Sequence, residues 1–91
     1  MIEAKLCAPH MDKNWSLQFT GLSKKDRSED PFKASIWFWA QHFGSHYGSK
    51  PFLQGDSEDW MMIEFWCSSQ SLILETCEAV CKQAGVDLQF D

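Results

Sequence analysis

The sequence predicts a two-layer α/β sandwich, in which two helices pack on one face of a mixed sheet of four or five strands. Three observations support this fold class. Residues 2–6, 15–19 and 86–90 are short segments in which apolar and polar residues alternate. Two longer segments have helical periodicity, and a strongly apolar segment precedes the second of them. The predicted order is therefore β-β-α-β-α-β, in a single domain over residues 1–91.

The first two strands are predicted from alternation alone. Residues 2–6 place an apolar side chain at every second position, and residues 15–19 repeat the pattern before Gly21. Pro9 lies between the two segments and lacks the N–H group that a central strand needs. Two strands joined by a connection that contains Pro9 are therefore expected.

The segment 32–43 fits both a helix and a strand, because its apolar residues satisfy a helical repeat and an alternating one. Asp30 and Pro31 favour the helix, since Asp is a common N-cap and Pro a common first helical residue. Gly44 then stands where a left-handed C-terminal cap is expected. We therefore predict a helix over 32–43 that ends at Gly44.

Residues 44–59 include four glycine or proline residues among polar ones, which predicts a long connection. Within it, Phe52 and Leu53 are candidates for a short edge strand. If they form one, the chain after Asn14 has the β-α-β-β-α-β order of ferredoxin-like folds.

The remainder of the chain predicts a strand, a helix and a strand. Residues 60–67 are apolar or aromatic at nearly every position and predict a central strand. Ser68 and Ser69 are candidate N-caps of a helix that ends at Gly85. The last strand covers 86–90, and the β-α-β order predicts that it pairs in parallel with 60–67 through a right-handed crossover.

Alternation also predicts which side chains lie beneath the helices and which lie on the opposite, uncovered face of the sheet. The predicted core residues from the strands are Ile2, Ala4, Leu6, Trp15, Leu17, Phe19, Met61, Ile63, Phe65, Cys67, Val86, Leu88 and Phe90. The opposite face carries Glu3, Lys5, Ser16, Gln18, Thr20, Asp87, Gln89 and Asp91 around a centre of Trp60, Met62, Glu64 and Trp66. Aromatic and methionine anchors with a charged rim are typical of a protein interface.

The distribution of charge predicts the kind of partner. Residues 51–91 carry eight carboxylates and one base, a net charge of −7, whereas residues 1–50 have a net charge of +2. An acidic and aromatic surface suits a basic protein and repels phosphate, so direct binding of nucleic acid is not expected. We expect a small acidic binding protein that occludes a basic partner, in the manner of an inhibitor, immunity or antitoxin protein, for example against a nuclease. The residues expected to bind the partner are Trp60, Met62, Glu64, Trp66, Asp87, Gln89, Asp91 and Glu58.

Two other interpretations of this face stay open. The connection over 44–59 can fold over it, or two copies of the chain can pack sheet to sheet as a homodimeric structural or accessory protein. Glu64 favours a basic group that arrives from outside, because an unpaired buried carboxylate is costly.

Residues with the chemistry of a metal site are present but do not predict one. His42, His46, Cys77 and Cys81 are the ligand types of a zinc site. However, both cysteines fall on the apolar stripe of the second predicted helix, and Gly44 separates the histidines. No metal and no cofactor is therefore predicted.

A cysteine nucleophile has equally little support. Cys7 or Cys67 can be paired with His10 or His42, but no local motif accompanies either cysteine. We predict no catalytic residue and do not expect an enzyme.

The opening residues 1–5 lack the apolar segment of a signal peptide, and no apolar run approaches the ~20 residues that span a bilayer. We therefore expect a cytoplasmic protein with reduced cysteines and no membrane partner.

Overall fold

The computed structural model describes residues 1–10, 14–66 and 69–91, which form a five-stranded mixed sheet with both helices on one face. The strands are β1 (Glu3–Cys7), β2 (Trp15–Thr20), β3 (Pro51–Ser57), β4 (Trp60–Phe65) and β5 (Leu88–Phe90), and the helices are α1 (Pro31–Tyr47) and α2 (Gln70–Ala84). The predicted two-layer sandwich of α/β type is confirmed.

The order of strands across the sheet is β3-β4-β2-β1-β5. β5 pairs in parallel with β1, and the other neighbours are antiparallel. The predicted pairing of 60–67 with 86–90 is wrong, because β2 and β1 lie between β4 and β5. From β2 onwards the chain has the β-α-β-β-α-β order of ferredoxin-like folds, and β1 is an extra strand inserted between β2 and β5.

α1 begins where the sequence predicts and ends one turn later. Asp30 caps it by accepting a hydrogen bond from the backbone N–H of Phe32 at 2.9 Å. The predicted end at Gly44 is wrong, since the helix continues to Tyr47 and Gly48, with a φ of 78°, provides the left-handed cap. Gly44 is needed for close packing instead, because a Cβ there would lie 2.4 Å from the ring of Pro51.

β3 is the largest departure from the sequence prediction. The segment predicted as a connection forms a seven-residue edge strand that pairs with β4. A register shift between Leu53 and Gly55 marks a β-bulge. Because β3 extends the sheet sideways, the interpretation in which residues 44–59 cover the open face is wrong.

α2 ends as predicted, at Gly85, whose φ is 72° and whose backbone N–H group donates to carbonyls of the last turn. Ser69 is the N-cap residue. Neither described helix is long and apolar enough to cross a bilayer. The predicted roles of Cys67 and Ser68 lie outside the described residues.

The hydrophobic core lies between the helices and the sheet. Its buried strand residues are Ala4, Leu6, Leu17, Phe19, Met61, Ile63 and Phe65, and its buried helical residues are Ile36, Ala40, Ile73, Cys77, Val80 and Cys81. The predicted core residues that are only partly buried are Ile2, Trp15, Val86 and Leu88. Phe90 was predicted to be buried, but it is 65% exposed on β5, which is an edge strand.

A lysine is also buried in this fold. Lys33 on α1 is fully buried, and its ammonium group donates hydrogen bonds to the backbone carbonyls of Lys25 and Glu58. The same Nζ lies 3.8 Å from the Oδ1 of Asp56, whose Oδ2 lies 3.5 Å from the Nε of Arg27. Lys33 therefore ties α1 to the preceding loop and to the hairpin of β3 and β4.

Candidate functional site

The candidate site is the face of the sheet that the helices leave uncovered, called here the open face. Strand register aligns its side chains in rows, because directly paired residues point to the same side. One row contains Cys7, Ser16, Glu64 and Phe52, the next contains Lys5, Gln18, Met62 and Gly55, and the third contains Glu3, Thr20 and Trp60. Aromatic, carboxylate and neutral polar groups are therefore mixed at the centre of this face.

A cavity of about 610 Å³ opens on the open face and is called here the sheet cavity. The described residues that line it are Cys7, Ala8, Pro9, His10, Asn14, Ser16, Gln18, Trp60, Met62, Glu64 and Asp91. Two carboxylates and one indole ring are among the groups that line this space. Lysine and arginine are absent from its described lining.

The indole of Trp60 occupies space that a glycine on the neighbouring strand leaves free. A Cβ on Gly55 would lie 2.1 Å from the Cζ3 atom of Trp60, so the ring occupies the space above that glycine. Trp60 is half-buried by this contact and also lines the sheet cavity. β3 therefore helps to hold an aromatic wall in place.

The two carboxylates reach the sheet cavity from different strands. Glu64 on β4 is half-buried and accepts a hydrogen bond from the Nδ2 of Asn14 at 3.4 Å. Asp91 follows β5, and its backbone N–H donates to the carbonyl of Leu6 at 3.2 Å, which anchors it beside β1. Within the described ranges, neither Glu64 nor Asp91 forms an ion pair.

The thiol of Cys7 also lines the sheet cavity. Burial raises its pKa, the carboxylate of Asp91 raises it further, and a hydrogen bond with Ser16 only partly opposes this. A raised pKa keeps the thiol protonated at neutral pH, which is the unreactive form. His10 lines the same cavity, so a cysteine and a histidine are close in space, but the thiol is not activated.

The predicted partner-binding residues divide by position. Those that line the sheet cavity are Trp60, Met62, Glu64 and Asp91. Trp66 lies at its margin, where it is 67% exposed and its ring centroid is 4.8 Å from that of Phe52. Gln89 lies on the same face, opposite Lys5.

The other two predicted residues lie away from the sheet cavity. Glu58 is in the turn between β3 and β4, and Asp87 lies between α2 and β5. Both are exposed, so they can act on a partner only as peripheral charges. The prediction missed Cys7, His10 and Gly55, although the alternation of β1 already placed Cys7 on the open face.

The four residues considered for zinc are not brought together. His42 and His46 are exposed on α1, whereas Cys77 and Cys81 are buried in the core. Burial raises the pKa of both thiols, that of Cys81 to about 12. In the part of the chain that the structure describes, no group of three or more potential ligands could hold a metal ion.

Comparison with known proteins does not assign the chain to a family. No family model and no curated protein matches the sequence. Among solved structures, the chain is similar to a crystal structure of the essential ribosomal processing protease Prp from S. aureus in complex with a covalently linked product peptide. The TM-score is 0.49 with 10% sequence identity, and the match covers 100% of both chains. A likeness at this level says nothing about activity.

Proposed function

We propose that this protein is a non-catalytic binding protein whose sheet cavity receives a lysine or arginine side chain from a basic protein partner. One observation carries the proposal: the carboxylates of Glu64 and Asp91 and the indole of Trp60 line one cavity, in a space that no described cation fills. Carboxylates bind ammonium and guanidinium groups through charge-assisted hydrogen bonds, and an indole face attracts the same cations.

The size and lining of the sheet cavity support this ligand class. Its volume of about 610 Å³ falls within the range of roughly 300–1,000 Å³ typical of ligand pockets, so a long side chain and some of its backbone can enter. The thioether of Met62 adds a polarisable wall that tolerates different side-chain shapes. Apolar contact along the stem and charge at the tip together suit Lys and Arg.

Peripheral charge supports a basic partner as well. Residues 51–91 have a net charge of −7, and the exposed carboxylates of Glu58 and Asp87 belong to this region. Such charges raise the association rate more than the affinity. Occlusion of a basic active site by an inhibitor, immunity or antitoxin protein is the narrowest form of the proposal.

The two alternative functions have less support. In a sheet-to-sheet homodimer, the carboxylates of Glu64 and Asp91 would face a second set of the same charges, which is unfavourable. A cysteine enzyme would need the thiolate of Cys7, whose pKa is raised by burial and by Asp91.

The first test uses short acetylated peptides of equal length in which the same positions hold arginine, lysine, glutamine or glutamate. Binding is measured by calorimetry and by the intrinsic fluorescence of the protein's tryptophans, of which Trp60 lines the sheet cavity. The arginine and lysine peptides should bind, more weakly as salt is raised, and the glutamate peptide should not bind. Equal binding of all four peptides, or binding of none, would contradict the proposal.

Variants then locate the binding site. Glu64→Gln and Asp91→Asn should weaken binding at least tenfold through faster dissociation, and with a full protein partner the loss should be about 2–5 kcal/mol. Glu58→Gln and Asp87→Asn should slow association only. Glu29→Gln, at an exposed position in the loop before α1, is the matched control and should have no effect. Binding that responds to Glu29→Gln but not to Glu64→Gln would exclude the sheet cavity.

A further inference from the structure

The outer surface of α1 carries a row of exposed ring side chains. Phe38 is 57% exposed and stacks on His42, with ring centroids 6.3 Å apart and an angle of 10° between the planes. His46 follows one turn later and is also exposed. These three residues, spaced four apart, lie along one side of the helix and are called here the α1 ridge.

A groove lies beside the ridge, between α1 and α2. It encloses about 410 Å³ and is lined by Phe43 and Tyr47 from α1 and by Glu75, Glu78 and Lys82 from α2, among others. The rings of Phe43 and Tyr47 stack with centroids 6.4 Å apart. This space, called here the α1–α2 groove, has an aromatic floor and a mainly acidic wall.

The ridge and the groove are chemically complementary. The ring of Phe38 matches the aromatic floor of the groove, and aromatic pairs of this kind contribute beyond the area that they bury. The imidazoles of His42 and His46 can donate hydrogen bonds that the carboxylates of Glu75 and Glu78 accept. The ridge lies beside the groove, since the ring centroids of His42 and Phe43 are 5.0 Å apart and those of His46 and Tyr47 are 4.8 Å apart. Within one molecule the described ion pairs do not join the imidazoles to Glu75 or Glu78.

We propose that two copies of this chain associate about a two-fold axis, with the α1 ridge of each copy in the α1–α2 groove of the other. Helices pack in this way when the side-chain ridge of one enters the groove of its neighbour. A two-fold interface also requires a self-complementary surface, in which each contact occurs twice. A ridge and a matching groove side by side on one surface meet that requirement.

Other occupants match the surface less completely. A basic peptide would suit Glu75 and Glu78 but would meet the hydrogen-bond donors of His42 and His46, and the same carboxylates would repel nucleic acid. The dimer leaves both open faces outward, because the helices lie on the other side of the sheet. It would therefore present two sheet cavities to a partner, and its formation does not depend on what those cavities bind.

A charge-exchange experiment followed by sedimentation velocity tests the proposal. One variant carries Glu75→Lys and Glu78→Lys, and the other carries His42→Glu and His46→Glu. For each variant alone, the dissociation constant of the dimer should be at least ten times that of the wild type. In the first variant the histidines face lysines, so two sets of donors meet, and in the second variant the new glutamates face Glu75 and Glu78. An equimolar mixture should restore dimers, since one contact keeps its native groups and the other pairs lysine with glutamate.

Controls separate this interface from the open face and from misfolding. Ser23→Glu with Gln54→Glu adds the same charges at exposed positions outside both helices and should stay dimeric with unchanged circular dichroism. Phe38→Ser should weaken the dimer and leave the monomer folded. A monomeric wild type, or a mixture that does not restore dimers, would overturn the proposal. Dimers disrupted by Trp66→Ser but not by Phe38→Ser would assign association to the open face and would also overturn it.

Discussion

Replacing Lys33 with methionine is expected to destabilise the protein by about 3–5 kcal/mol. Methionine has a similar length and fits the buried position, but it has no hydrogen-bond donor. The carbonyls of Lys25 and Glu58 would lose the donor that now satisfies them. Among the described residues the Oδ1 of Asp56 has no hydrogen-bond partner, and it would lose its nearby cation as well.

The magnitude follows from these contacts. A hydrogen bond to a charged group contributes about 1.5–3 kcal/mol, so the two carbonyl contacts together account for about 3–6 kcal/mol. Removing one partner of a buried ion pair costs about 3–5 kcal/mol, and this overlaps with the first figure instead of adding to it. Arg27 still pairs with Asp56 in the variant, which favours the lower part of the range. A domain of this size is stable by about 5–15 kcal/mol, so the loss is a large fraction of the total.

Urea unfolding followed by tryptophan fluorescence measures the effect. Lys24→Met, at an exposed position in the same loop region, is the matched control and should change stability by no more than about 0.5 kcal/mol. Adding Asp56→Asn to Lys33→Met should cost less than the sum of the two single changes, because the buried carboxylate is then neutral. A Lys33→Met protein within about 1 kcal/mol of the wild type, or strict additivity in the double variant, would refute the reasoning.

Three further predictions use the same unfolding assay. Gly44→Ala should destabilise, although alanine is the better helix former by about 1 kcal/mol, because its Cβ would lie 2.4 Å from the proline ring at the start of β3. Phe65→Ala should lower the free energy of unfolding by roughly 2–5 kcal/mol, because it leaves a cavity in the core. Trp66→Ala should lower it by less than about 1 kcal/mol, because Trp66 is 67% exposed. Equal losses of stability would mean that the open face is covered. The folded protein keeps the thiols of Cys77 and Cys81 protonated, with the pKa of Cys81 raised to about 12, while unfolded thiols lose protons near pH 9.0. Stability should therefore fall above that pH by up to about 1.4 kcal/mol per pH unit for each of these two thiols, and Cys77→Ala with Cys81→Ala should reduce the slope to the smaller part that Cys7 contributes. EDTA should not change Tm.

The open face could be predicted because alternation along a strand is a local property. Trp60, Met62 and Glu64 are two residues apart, so any strand over this segment places them on the same side. The presence of Asp91 in the same cavity as Glu64 could not be predicted in the same way. It depends on β5 pairing with β1 at the far side of β2, which local pattern does not determine.

The strand structure of β3 and the burial of Lys33 were not predicted, for a related reason. The sequence of β3 contains a proline and a glycine, and its strand structure comes from pairing with β4, not from propensity. A buried lysine is rare, and the groups that make Lys33 tolerable are carbonyls and a carboxylate far from it in the sequence. The prediction that α1 ends at Gly44 is wrong because that glycine is needed for close packing against Pro51.

The unpredicted elements are also the ones that build the proposed binding site. Gly55 on β3 makes room for the indole of Trp60, so the aromatic wall of the sheet cavity exists only when the hairpin of β3 and β4 is formed. On the opposite side of the sheet, Lys33 holds the turn of that hairpin through the carbonyl of Glu58. The helical layer and the open face are thus connected through one hairpin. A change at Lys33 should therefore affect the position of Trp60, although the two side chains lie on different faces of the sheet.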